Sequence, residues 1–406
     1  MIFSIFPTFR FALMHAQKVS NMIQLFQSTQ TGAPQLNGLP SLISVLSACL
    51  VNGFNLRTLT SITRNGTIAT VSADAGHGFR DHDVVWIAGA NQSAYNGAKR
   101  IRAVSTNSFQ FDVTGDPQTP ATGSLSAKVA PLDWELVFSA ASKAVYRSKD
   151  LTSSKLLLRI DETPLAGDVN YGRGTTSCMA QMWEVLIDID NGSGKSECYW
   201  RKSSLQTADA RPWILVGDSK RFWLCVAWGG GYLNRYVPYF FGDFSSFKPA
   251  DPYRCLLSGM NELTYSYQDP AYNQWLDSVF SVGQAVGETG IRLPRDYSLL
   301  GGTTNAAYVC GVGSGGVGMG ATGLVYPNPA DNGIYVMPLL IQERVGPSLR
   351  GRLPGLLTPL HSIAAPEPTR LPGFVLDGSP RDLLIVGATQ GSGTGRLAFD
   401  LTGPWE

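Results

Sequence analysis

Between Thr58 and Val129 turn residues recur about every 8–12 positions, and the pieces between them are too short for ordinary helices. Ile62, Ile68 and Val71 flank Asn65-Gly66. That dipeptide is the signal of a type I′ hairpin, which needs positive φ at both central residues. Val84 to Ile87, Ile101 to Val104, Phe109 to Val113 and Leu125 to Val129 follow as apolar pieces, and Phe109, Phe111 and Val113 alternate strictly with polar neighbours. Gly76, Gly78, Gly89, Asn96-Gly97 and Gly115-Asp116-Pro117 separate them, with a Pro-, Thr- and Gly-rich stretch over 115–123. The pattern predicts a small β-barrel or sandwich over 58–130.

Outside that window the periodicity supports one convincing helix, within an N-terminal helical segment over 22–57. Ser41 follows Pro40 as an N-cap, and Leu42, Val45, Leu46, Cys49 and Leu50 share a face. Asn52-Gly53 ends it, because both residues tolerate the left-handed conformation. A short helix is also read over 280–290. From 131 to 345 the chain reads as a larger β domain, with strands at Leu156 to Asp161, Trp183 to Asp190, Trp213 to Val216 and Phe222 to Trp228. Gly217 to Lys220 joins the last two as a hairpin loop. Residues 346–406 are rich in proline and read as an irregular C-terminal arm or a second small β unit. Residues 1–21 read as an over-extended start or a disordered tail, since Met22 opens a fresh apolar stretch and Pro7 and Arg10 interrupt the one before it.

Composition narrows the class. The chain has 406 residues, room for two or three domains. Its net charge of +1 argues against affinity built on phosphate neutralisation, so no nucleic-acid partner is expected. Charged residues are 16%, below the roughly 25% of soluble domains, and 44 glycines favour many turns. Together they point to surface covered by neighbours. Nothing approaches the ~18 apolar residues of a membrane helix, so no membrane span is expected. The six cysteines lie far apart, form no metal-binding pair with the four histidines, and read as reduced core residues, with one or two disulfides as the alternative.

Sequence motifs for chemistry are weak. Residues 311–323 match G-x-G-x-x-G twice, but no helix can follow, since Tyr326-Pro327 comes next; a glycine loop is expected and no nucleotide cofactor. Asp188, Asp190 and Gly192 hint at a calcium loop yet lack its ligand spacing, which leaves a turn or a loose surface ion site. His77 and His82 have no obvious third ligand, and His361 lies in no nucleophile-elbow context. No catalytic residue, metal or cofactor is assigned, and the chain is read as non-enzymatic.

Aromatic density is the one strong local feature. Tyr232, Tyr236, Tyr239, Phe240, Phe241, Phe244 and Phe247 lie close together with Arg235 among them. Such rings fill a core, meet another subunit, or stack on sugar rings as an exposed platform. Tyr232, Arg235, Tyr236, Tyr239, Phe240 and Phe241 are therefore the candidate glycan or subunit contacts.

The stretch Gly76-His77-Gly78-Phe79, Asp83 to Gly89, Tyr95-Asn96-Gly97, Ile101 to Val104 and Ser108 to Val113 resembles a small β module of tailed-phage virion and tail proteins. That module is related to the FCCH domain of ubiquitin-activating enzymes. It commonly carries glycine before its Asp, where this chain has His82. The resemblance covers about 70 residues. Weaker likenesses to phage virion proteins lie at Gly32 to Gly38, Arg350 to Leu356 and Asp400 to Trp405. It implies location and assembly without a reaction. The expected fold is mainly β: a short N-terminal helical region, a small inserted β-barrel or sandwich module, and a larger β domain with an irregular C-terminal arm. The expected function is structural, in the tail, tail tip or baseplate of a phage or prophage particle, with copies of itself in a ring or trimer and other virion proteins as partners. A receptor-binding protein holding host surface glycan and a capsid decoration protein stay open beside it.

Overall fold

The computed structural model describes residues 22–164, 176–203, 208–227, 233–260, 290–309, 324–343, 346, 348–362, 368–376, 378–390 and 393–405. The expected segment 1–21, the helix over 280–290 (beyond Gly290) and the glycine loop 311–323 lie outside them, as do Tyr232 and Cys310. The protein is mainly β with one short α-helix, as expected.

Strand β1 (Gln24–Gln27) precedes helix α1 (Leu42–Ser47), which runs on into a π-helical turn over Ala48–Asn52. Leu42, Val45, Leu46, Cys49 and Leu50 are all buried, as their spacing predicts. Gly53 ends the helix with φ +69°. The cap differs from the expectation. Ser41 Oγ bonds the backbone of Asn37 instead of the helix, and the carboxylate of the distant Glu162 takes the N–H groups of Ser41, Leu42 and Ile43 at 3.0–3.2 Å.

The small module follows as β2 (Phe54–Thr58), β3 (Ser61–Asn65), β4 (Ile68–Ser72), β5 (Val84–Ala90), β6 (Gly97–Arg100), β7 (Ser108–Asp112) and β8 (Gly123–Val129). One sheet runs β2-β8-β5-β6 and the other β3-β4-β7. Their edges approach at the Arg102–Gln110 bridge and where Ala121 N–H meets the Ile62 carbonyl. Phe109, Phe111 and Val113 point inward together. Two details change. The β3–β4 register places the turn at Gly66-Thr67, with positive φ at Gly66 only, the pattern of a type II′ turn rather than I′. The strand expected at Ile101 to Val104 lies earlier, at β6; Asn96 guides it there by bonding both N–H and C=O of Ala90 through its side-chain amide.

A five-stranded sheet comes next, from β9 (Trp134–Ala140), β10 (Lys143–Ser148), β11 (Leu157–Asp161), β12 (Ser177–Trp183) and β15 (Ser196–Arg201), in the order β15-β12-β11-β10-β9. The strand expected over Trp183 to Asp190 ends at Trp183. A short hairpin of β13 (Val185–Leu186) and β14 (Gly192–Ser193) replaces its remainder.

The rest forms one large sheet. Its strands are β16 (Trp213–Gly217), β17 (Arg221–Ala227), β18 (Tyr236–Asp243), β19 (Ser245–Ser246), β20 (Cys255–Ser258), β21 (Ile291–Leu293), β22 (Thr304–Val309), β24 (Val336–Glu343), β25 (Leu349–Pro359), β27 (Thr369–Leu376), β28 (Ser379–Gln390) and β29 (Gly393–Asp400). A parallel pair, β23 (Leu324–Val325) with β26 (His361–Ser362), stands apart. The order β18-β20-β21-β22-β24-β25-β29-β28 returns to β18 through Tyr236 and Ala388, closing an eight-stranded barrel. Strands β17, β16 and β1 continue the sheet beyond β18, and β27 flanks β28.

Residues 346–406, read as an irregular arm or a second small β unit, are rich in strand, and β25, β28 and β29 are staves of the barrel. Two of the ladders in this region are broken at prolines of the neighbouring strands. The β24–β25 register shifts between Pro338 and Leu340, and the β27–β28 register shifts between Leu371 and Phe374, spanning Pro372 and Gly373. Proline cannot donate to a ladder, so it collects at such irregularities.

Candidate functional site

The aromatic candidates stand at the wall shared by the barrel and the five-stranded sheet. Tyr236, Tyr239, Phe240, Phe241 and Phe244 are all buried, because β17 and β18 are covered on both faces. On one face Tyr239 stacks on Trp200 with ring centres 5.6 Å apart, and Phe241 meets Phe222 and Trp134. On the other, Phe240 packs on Trp223 at 4.8 Å, and Trp223 meets Phe399 of β29. The Tyr239 hydroxyl accepts the Arg201 N–H. The exposed platform is corrected: Tyr236, Tyr239, Phe240 and Phe241 are core. Arg235 is half-buried, and Phe247 alone of the described rings in the group is exposed.

Other single-residue candidates are structural. His77 is buried; its Nδ1 accepts the Phe79 N–H at 3.0 Å, its Nε2 faces the Ser108 carbonyl, and its ring stacks on Phe79. His82 reaches the surface beside Asp81 and holds φ +68°. Next to it, Asp83 accepts from Arg80 N–H and the Gln30 side chain, and burial pushes its carboxyl up to about 6. Arg80 and Arg100 bond Gln27, Thr29 and Ile23, fastening the module to the segment of β1. His361 is buried, bonded to Tyr335 N–H and the Val325 carbonyl. Cys49, Cys178, Cys198, Cys225 and Cys255 are free buried thiols, and burial raises their pKa. Among the described residues no group of three His, Cys, Asp or Glu side chains is placed to hold a metal.

Two surface features remain. The first is a rim of exposed apolar side chains: Phe247, Tyr297, Leu300 and Leu349, each at least half exposed, with Leu300 at 88%. The segments carrying them are tied by buried charge. Arg350 pairs with Asp251 at 2.9 Å and Glu343 at 2.5 Å, and donates to the Arg295 carbonyl. Arg295 in turn bonds Gly301 and Glu184, and Phe247 N–H bonds the Arg350 carbonyl.

The second is a cleft of about 400 Å³ on the face of the five-stranded sheet turned away from the core. Register builds it. Val145, Arg159, Gln181 and Glu197 lie in one cross-strand row, and Lys143, Asp161 and Met179 in the next. Arg159 is the floor, 6% exposed, bonded to Asp161, Gln181, the Ile189 carbonyl and Asp190. Asp190 arrives from the hairpin tip and also pairs with Lys143 at 2.6 Å. The Lys143 hydrogen bond, reinforced by Arg159, holds the Asp190 carboxyl below its usual range. Lys195 pairs with Glu197 at 3.1 Å and lies over the Trp183 ring. Asp188 instead accepts from the backbone of Asp190 and Asn191, so the two aspartates hinted at for calcium serve different ends.

Of these residues, sequence reasoning singled out only Asp190. The available signal was polar residues at every second position in otherwise apolar strands, such as Arg159 with Asp161. No family model matches the chain, and no curated protein matches it.

Proposed function

We propose that the protein is a non-enzymatic structural component of a tailed-phage or prophage particle, in the tail, tail tip or baseplate, assembled in the bacterial host cytoplasm. The observation that carries this reading is the apolar rim of Phe247, Tyr297, Leu300 and Leu349 on segments fixed by the buried Arg350 network. Large exposed apolar side chains on a rigid frame favour burial against a second copy or a neighbouring virion protein. The low charge content supports the same reading. So does the left-handed His82, at the position where the resembling virion modules commonly carry glycine.

The decisive experiment is gold-labelled antibody on particles from the encoding phage or lysogen, with a mass-spectrometric inventory of denatured particles. Label at the tail end is expected. Label on the head would instead favour capsid decoration. Absence from both label and inventory would overturn the virion reading. A Phe247→Glu, Leu300→Glu double variant separates assembly from folding: lower mass by light scattering and an unchanged unfolding midpoint are expected.

A further inference from the structure

We propose that the cleft over Arg159 is a binding site for one neutral sugar residue of a host-surface glycan. The argument starts from charge. Lys143, Arg159 and Lys195 face Asp161, Asp190 and Glu197, three cations against three anions, each cation within 3.2 Å of an anion. A charged ligand gains no net field there and has to break an existing pair. A neutral polyol does not.

The mouth then supplies what hydroxyls need. Each ammonium carries three donors, while among the described residues Lys143 makes one hydrogen bond, to Asp190. Asp190 uses Oδ1 for both Lys143 and Arg159, which leaves Oδ2 at the exposed edge. Lys195 and Glu197 form a second donor–acceptor couple across the cleft, Glu197 Oε2 also taking the Gln181 amide, and both side chains are more than two-fifths exposed. A sugar hydroxyl accepts from an ammonium while donating to a carboxylate, so vicinal hydroxyls match these couples. The partly exposed Met179 gives the lining an apolar edge for a C–H group of the ring, while Trp183, buried beneath Lys195, closes the wall. The volume lies at the lower end of small-ligand pockets, suited to one ring with a short extension. The floor is preorganised, since Arg159 is buried and held through Nε, Nη1 and Nη2.

The site is independent of the apolar rim, so its failure leaves the assembly reading standing. The test is saturation-transfer NMR and calorimetry on the full chain, with methyl glycosides of glucose, galactose, mannose and N-acetylglucosamine against glucuronate and glucosamine. Binding of at least one neutral glycoside is expected, tighter than either charged sugar and insensitive to salt. Glu197→Gln should weaken it tenfold or more. Asp190→Asn, which leaves the cleft with a net positive charge, should shift preference toward glucuronate. If Glu197→Gln fails to fold, Lys195→Gln takes its place. No neutral glycoside bound, a preference for a charged sugar in the wild type, or affinity untouched by the variants would each overturn the proposal.

Discussion

Glu162 is the residue on which the N-terminal fold should depend most. Its Oε1 accepts from Ser41 N–H, Leu42 N–H and the Lys202 ammonium (2.6 Å), and its Oε2 from Ile43 N–H. The two side chains are 1% and 0% exposed. Glu162→Ala leaves the Lys202 charge in the core without its counterion and three helix N–H groups without their acceptor. Removing one partner of a buried ion pair costs about 3–5 kcal/mol, a large part of the about 5–15 kcal/mol that holds a typical domain. Glu162→Gln keeps one acceptor and should cost less, about 1.5–3 kcal/mol, the worth of hydrogen bonds to a charged group. Ser41→Ala removes only the local link to Asn37 and should cost about 1 kcal/mol. Pairing Glu162→Gln with Lys202→Met removes both charges and should recover part of the loss. The assay is urea unfolding followed by tryptophan fluorescence, with amide exchange over residues 41–53 reporting the helix itself. The reasoning is refuted if Glu162→Ala lies within about 1 kcal/mol of wild type, or if Ser41→Ala is the more damaging change.

Three further outcomes are expected. Tyr239→Ala opens a cavity between Trp200 and the barrel wall and should cost about 3–5 kcal/mol, so particles should fail to form; intact particles that merely lose adsorption would return the ring to a surface role. Because Asp83 is protonated more readily folded than unfolded, its contribution is greatest at low pH and declines as pH rises from about 4 to 6. Subtracting the stability profile of Asp83→Asn from that of wild type should expose this falling slope, and a rising or flat difference would contradict it. At His82, where φ is +68°, a Val variant should be about 1–2 kcal/mol less stable than a Gly variant by thermal unfolding, and equal stabilities would argue against the left-handed backbone.

Where each residue's partner is close in sequence, the pattern was readable. Phe109, Phe111 and Val113 alternate because one face of β7 meets the module core, and the apolar face of the 41–53 helix follows from its spacing. Where the partner is distant, the pattern misled. Ser41 has the chemistry of a cap, but Glu162 lies 121 residues away and no local signal announces it. The strands of 346–406 were hidden for a different reason: β25 pairs with β24 across a register shift at Pro338, β28 pairs with β27 across one around Pro372, and breaks of that kind read as irregular chain. The cleft was illegible because it exists only through cross-strand register, which sets Arg159 beside Gln181 and Gln181 beside Glu197.

The aromatic run from Tyr236 to Phe241 shows why density of rings could not decide between platform and core. An exposed platform needs one face of its strand in water, so its rings should fall on alternate residues with polar ones between. Here Tyr239, Phe240 and Phe241 are consecutive, which places rings on both faces of β18 at once. Consecutive rings are stable only where both faces are covered, and the molecule has the Trp134–Trp200 layer on one side and, on the other, Phe399 packed on Trp223, the cross-strand neighbour of Phe240. One wall therefore serves two cores, coupling the five-stranded sheet to the barrel. Displacing either sheet would expose rings belonging to the other, so the cleft on one and the apolar rim on the other are held on a common rigid frame. That coupling keeps the cleft and the rim at a fixed separation.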